Sequence, residues 1–155
     1  MANLSLFLTA GYLATLPSWM DHTKHADHRF LSAIAMVESG NNARAIGDGG
    51  NALGKFQMWP AAWKDAQTWA KKNGRFVWTR SAWQNERAQE EMAYCYFKVC
   101  QERLVAAGIE NPSPTQIYLC YTMGFKAFKD IDFDVQKAPA RKLNAAVRVT
   151  TIFSK

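Results

Sequence analysis

The feature that most constrains this chain is where its glycines fall. Five of nine lie between Gly40 and Gly54, inside the stretch VESGNNARAIGDGGNALGKFQMWP. Glycine at that density means irregular backbone with left-handed turns and close main-chain approaches. On both sides the pattern is helical. The run ADHRFLSAIAMV, Ala26 to Val37, carries Phe30, Ile34 and Val37 at helical spacing. After the loop, PAAWKDAQTWAKKNG opens with Pro60 in its first turn and stops at Gly74. Two helices must therefore be joined by a long, glycine-dense connection. Such a connection inside a compact domain is usually functional.

Further helices follow. NERAQEEMAYCYFKVCQERLVAAG has early acids, a late Arg103 and a stop at Gly108, an order that suits the helix dipole. SPTQIYLCYTMG begins with Ser113 as N-cap and Pro114 at the first helical position. APARKLNAAVRVTTIF reads as a closing helix, and only RFVWT, around Phe76, reads as a short strand. No strand–helix alternation is present, so the fold class is mainly α, with at most a very small β element. At 155 residues one domain is expected, assigned here to 26–155 behind an N-terminal segment, 1–25. That segment holds an apolar run, Leu4 to Leu16, without a basic leader or clean cleavage site. It reads either as a degenerate signal or anchor, or as an apolar arm or first helix.

The net charge of +6 favours a polyanionic partner. The basic residues Lys71, Lys72, Arg75, Arg80, Lys126, Lys129, Arg141 and Lys142 are dispersed, however. A nucleic-acid reader would cluster them on a recognition element. Cys95, Cys100 and Cys120 are odd in number and irregularly spaced, and are expected as buried free thiols. Cys95 and Cys100, about 140° apart round one helix, cannot bridge each other, while a pairing of either with Cys120 stays open. His22, His25 and His28 belong to a solvated helix, and no metal site is expected. Most of the six tryptophans are expected in packing.

Gly49, Gly54 and Lys55 nearly spell a phosphate-binding loop. That loop needs a preceding strand and a Ser or Thr after the lysine to hold magnesium. A helix precedes this one, and Phe56 follows Lys55. Lys55 is then at most an outward-facing cation.

Glu38 is the more informative residue. It lies four residues after Ile34, on the apolar stripe, where the helix must end before Gly40. The negative end of the helix dipole and an apolar surround both favour the protonated carboxyl. A general acid for glycoside cleavage needs that bias. The bland alternative is a helix-end glutamate capping nearby backbone or pairing with Arg44.

Three clusters decide between these readings: Glu38-Ser39-Gly40; the segment GDGGNALGKFQM with Gly47, Asp48, Gly50, Asn51, Gly54 and Gln57; and CYTMGFKAF with Tyr121, Thr122 and Gly124. Together they resemble the lysozyme superfamily, in particular goose-type lysozymes and bacterial lytic transglycosylases, over roughly Phe30 to Phe128. The departures are Thr122, where the family has Asn, and Met58-Trp59, where goose-type enzymes carry a further aspartate.

The resemblance implies a lysozyme-like domain with a catalytic cleft, cleaving the β-1,4 bond between N-acetylmuramic acid and N-acetylglucosamine. Glu38 would be the catalytic acid, with the Tyr121 hydroxyl holding it. Ser39 and Gln57 would line the cleft and bind substrate with Thr122, while Gly54 would let the backbone approach the sugar. Trp59 is the tryptophan expected to touch glycan. Asp48 would activate water if the reaction is hydrolysis. A 1,6-anhydro-forming transglycosylation would need no such base, because the nucleophile is tethered in the substrate. Both chemistries stay open, with a slight lean to hydrolysis. No cofactor is implied. The partner would be peptidoglycan glycan strands, met by a monomer in the periplasm, outside the cell or in a phage lysis apparatus, with neither nucleic acid nor a stable membrane span involved. The alternative is a catalytically inactive glycan-binding or structural protein of the same fold.

Overall fold

The computed structural model describes residues 22–155. The chain there is mainly helical: α1 (His22–Ser39), β1 (Ile46–Gly47), β2 (Ala52–Leu53), α2 (Pro60–Lys72), α3 (Glu86–Ala106), α4 (Pro114–Met123), α5 (Phe125–Lys129) and α6 (Ala140–Phe153). The apolar run from Leu4 to Leu16 lies outside the described residues. The boundary drawn from sequence at 25/26 falls inside α1.

α3 is the axis of the core. Its buried residues, among them Met92, Ala93, Tyr96, Phe97, Cys100 and Leu104, face several directions round the helix, as a central helix requires. α2 packs along α3, α4 packs against α3 and α6, and α6 lies against α1. One continuous cluster of buried side chains, from Phe30 on α1 to Val149 on α6, joins these helices. Trp63 is its largest member at 1% exposure, and its indole N–H donates to the Trp78 carbonyl at 3.0 Å. Phe30 packs tilted on Phe97 and edge-on to Phe153, at 5.5 and 5.3 Å between ring centres, tying α1 to α3 and α6.

The helix ends are set by local chemistry. Ser113 and Gln116 form a reciprocal capping box at the start of α4. Asn85 caps α3 by accepting from the Ala88 amide. Cys95, Cys100 and Cys120 are free and buried.

RFVWT is not a strand. Residues 75–79 run as irregular backbone. The Trp78 carbonyl is claimed by two side chains of α2, the Trp63 indole and the Gln67 amide at 2.9 Å. The Trp78 indole in turn donates to Glu91 on α3 at 2.8 Å. The segment is clamped by side chains rather than by a neighbouring strand. Among the described residues, β structure is the antiparallel pair β1–β2, with Ile46 opposite Leu53 and Gly47 opposite Ala52, and one isolated bridge from Leu53 to Met58, all inside the glycine-dense connection.

Candidate functional site

α1 ends in a left-handed turn. Gly40 and Asn41 both have positive φ, and their amides turn back to the Met36 and Ala35 carbonyls at 3.1 and 3.0 Å. That stop leaves Glu38 on the last turn, half-buried. It opens into a cavity of about 520 Å³ lined from α4 by Tyr118 and Thr122 and from α6 by Arg141, Lys142 and Arg148. The Tyr118 hydroxyl donates to Glu38 Oε1 at 2.7 Å. Among the described residues, Glu38 makes no other side-chain hydrogen bond and no ion pair, with Arg44 or otherwise. Its Oε2 is therefore available to a ligand. Burial, then the charge of Glu38 and the hydrogen bond to it, push the Tyr118 hydroxyl well above its ordinary range. Tyr118 keeps its proton and remains a donor.

This corrects the assignment of Tyr121. Its hydroxyl lies near enough to Glu38 to feel that charge, but it makes no hydrogen bond to the carboxylate and donates instead to the Phe56 carbonyl at 3.2 Å. It is buried, and burial foremost pushes its ionisation far up. Tyr121 ties α4 to the chain after the hairpin, while Tyr118, one turn earlier, holds Glu38.

Ser39 and Gln57 are likewise occupied by the protein's own backbone. The Ser39 hydroxyl donates to the Lys55 carbonyl at 2.8 Å and accepts from the Asn42 amide at 3.0 Å. It staples the loop to the helix end. Gln57, at φ 47°, donates its amide to the Gly54 carbonyl at 2.8 Å and the Ala45 carbonyl at 3.4 Å. A Cβ on Gly47 would stand 2.3 Å from Gln57 Oε1, so Gly47 is small to admit this side chain.

Gly54 is also needed for packing. Its φ is 73°, and a Cβ there would meet Gln89 Oε1 at 2.3 Å. The buried Gln89 accepts from the Lys55 amide at 2.8 Å. It donates to the Ala43 and Trp83 carbonyls at 2.8 and 2.6 Å. Sequence reasoning missed Gln89. The available signal was a glutamine on the same stripe of α3 as Met92, Ala93 and Tyr96, where an uncharged polar side chain must find backbone partners.

Lys55 does not face outward. It is 7% exposed, and its ammonium binds Glu90 at 2.8 Å and Glu86 at 3.1 Å. Burial disfavours the ammonium, but the hydrogen bonds and charges of the two glutamates outweigh it and raise the pKa.

Asp48 sits exposed at the hairpin tip with φ 47°. Its carbonyl accepts from the backbone and side-chain amides of Asn51 at 3.3 and 3.1 Å, and Arg80 bonds the Asn51 carbonyl at 3.0 Å. Asp48 does not line the Glu38 cavity, and among the described residues no second carboxylate does. Trp59 is 48% exposed ahead of α2 and also stands outside that cavity. Thr122 lies within it, its hydroxyl accepting from Lys142 Nζ at 2.7 Å.

Among the described residues, no helix is long and apolar enough to cross a membrane. Comparison with protein-family models, with curated proteins and with solved structures finds no match.

Proposed function

We propose that this chain is a lysozyme-like muramidase that cleaves the glycan strands of peptidoglycan, with Glu38 as the general acid. The observation that carries this reading is the setting of Glu38: a half-buried carboxyl at the end of α1, one oxygen held by Tyr118, the other facing an open cavity. That arrangement fixes the group's orientation and leaves one oxygen free to exchange a proton with a substrate. The motif clusters noted in the sequence support the same reading in part: the helix-end glutamate and the later helix meet at this cavity, while the glycine-rich hairpin packs beside it and lines none of it.

The composition of the cavity favours transglycosylation over hydrolysis. An inverting hydrolase keeps a second carboxylate roughly 6.5–9.5 Å from the acid to activate water. Among the described residues, the one carboxylate lining the cavity is Glu38. In the proposed step, protonated Glu38 gives its proton to the leaving 4-oxygen of N-acetylglucosamine as the bond to C1 of the muramic residue breaks. The muramic 6-hydroxyl then attacks C1 and returns its proton to Glu38. The C1–O6 bond replaces the C1–O4 bond, no water is consumed, and the carboxyl is restored. The tethered hydroxyl supplies by proximity what a water-activating base would otherwise supply.

The test is digestion of purified peptidoglycan by the parent, Asp48→Asn and Glu38→Gln. The parent and Asp48→Asn should release fragments at similar rates, and Glu38→Gln should release almost none. A large loss in Asp48→Asn together with reducing muramic ends would assign the reaction to hydrolysis. Retention of glycan binding with no release by the parent would assign the chain to the inactive glycan-binding class.

A further inference from the structure

The cationic wall facing Glu38 is not needed for proton transfer. Arg141, Ala145 and Arg148 recur at i, i+4 and i+7 along α6, so they share one face, and Lys142 lies beside them. All four line the Glu38 cavity. The cavity thus sets three cations against one carboxylate.

The three cations are not equivalent. Lys142 is spent within the protein: its ammonium donates to the Thr122 hydroxyl at 2.7 Å and carbonyl at 3.3 Å. It is a strut from α6 to the last turn of α4, where a cation meets the negative end of the helix. Arg141 and Arg148 have neither a side-chain hydrogen bond nor an ion pair among the described residues. Lys64, Lys71, Lys72 and Lys129 likewise have no carboxylate partner among the described residues; what sets Arg141 and Arg148 apart is that they line the cavity that holds Glu38. Ala145, between them along the helix, adds only a methyl group to that face. A guanidinium presents a planar fork of donors that matches a carboxylate.

We infer that Arg141 and Arg148 form a carboxylate subsite beside Glu38, which selects glycan whose muramic residue carries an acidic lactyl or peptide arm over neutral glycan. This rests on the muramidase reading, and it names the form of substrate the site takes. The muramic lactyl ether is attached at C3 of the ring whose C1 is attacked. An acidic group on that arm lies within the same sugar unit as the scissile bond. Holding it would fix the ring relative to Glu38 without touching the reacting atoms, so both arginines are positioning residues.

The experiment uses the full chain carrying Glu38→Gln, which binds without turnover. Its affinity is measured for three tetrasaccharides: one of alternating N-acetylglucosamine and N-acetylmuramic acid with free lactyl carboxylates, the same glycan with peptide arms, and neutral tetra-N-acetylglucosamine. An acidic glycan should bind about tenfold or more tighter than the neutral one, as charge-assisted hydrogen bonds imply. Whichever acidic form binds more tightly identifies the lactyl or the peptide carboxylate as the group held. Adding Arg141→Ala and Arg148→Ala should erase the preference and leave neutral binding unchanged. Both side chains are exposed, so folding should be unaffected, and a thermal melt checks this. Arg141→Lys with Arg148→Lys should restore only part of the preference, because the charge returns without the fork. Equal binding of all three glycans, or a preference that survives the alanine variants, would overturn the subsite and leave the muramidase reading standing. No binding to any glycan would overturn both. Tighter binding to duplex DNA than to acidic glycan, lost in the same variants, would overturn the subsite in favour of a nucleic-acid surface.

Discussion

Two cavities flank the C-terminal half of α1, and they treat charge in opposite ways. On one side a space of about 460 Å³ is walled by α1, α3 and the chain after the hairpin, with Lys55, Arg75, Arg87, Glu90 and Glu91 among its lining. Nearly every charge there is answered within the protein. Lys55 binds Glu86 and Glu90, Arg87 binds Glu91 at 2.8 Å, and Arg75 lies over the Tyr94 ring at 4.8 Å. On the other side Glu38 has one neutral donor, and two of the three facing cations have no partner among the described residues. Paired charges hold the loop to α3. Unpaired ones, facing open space, are what a polar ligand needs. The difference teaches where to look for chemistry: the larger number of ionisable groups is on the paired side, and the incompletely satisfied groups are on the side of the proposed site.

The contrast can be broken experimentally at several points. The largest effect is expected from Glu38→Gln, which should lower the rate of glycan release about 10²–10⁴-fold, the contribution of a positioned general acid. Its thermal midpoint should stay at the parental value, since no ion pair is lost. Next is Gln89→Ala on the structural side. It leaves the Lys55 amide and the Ala43 and Trp83 carbonyls without their partner, and should cost on the order of 3 kcal/mol in denaturant unfolding. An unchanged midpoint would mean that water replaces Gln89 and that the loop does not depend on it.

A smaller effect is expected from Tyr118→Phe. Losing the donor to Glu38 should lower kcat about tenfold, the equivalent of one hydrogen bond to a charged group, with KM nearly unchanged. Tyr121→Phe should leave kcat close to parental. The reverse ranking would return the orienting role to Tyr121.

The smallest is the pH response of Glu91. The Arg87 hydrogen bond foremost, aided by that of Trp78, holds this carboxyl below its ordinary 4.5 against the opposing effect of burial. A depressed carboxyl contributes stability that is present above about pH 4.5 and is lost as pH falls through the lowered value. Glu91→Gln should therefore flatten the acid limb of the stability curve while changing neutral stability by less than about 1 kcal/mol, because Arg87 is largely exposed.

The helices were legible because their signals are local. Gly74 and Gly108, both at positive φ, and the Ser113 box each act within a few residues. Glu38 was legible because its stripe position and the stop at Gly40 lie in one short run. The partner of Glu38 was not. Tyr118 and Tyr121 are three residues apart on α4, only about 60° round the axis, so either could face α1. The rotation of α4 against α3 and α6 decides, and no local pattern encodes it. Ser39 and Gln57 are short side chains whose partners, the Lys55, Gly54 and Ala45 carbonyls, come near only once the loop has closed. Arg141 and Lys142 read as dispersed surface charge, and Arg148 went unremarked, because the face they share matters only when α6 is laid against α1 and α4. RFVWT has the residues of a strand but no strand beside it, and its backbone acceptor went to α2 instead.

The most direct measurement is mass spectrometry of muropeptides released from purified peptidoglycan by the parent chain and by Glu38→Gln. Anhydro-muramic ends from the parent, and almost none from the variant, are the expected result. Release by Glu38→Gln at the parental rate would contradict the role of Glu38 as the acid.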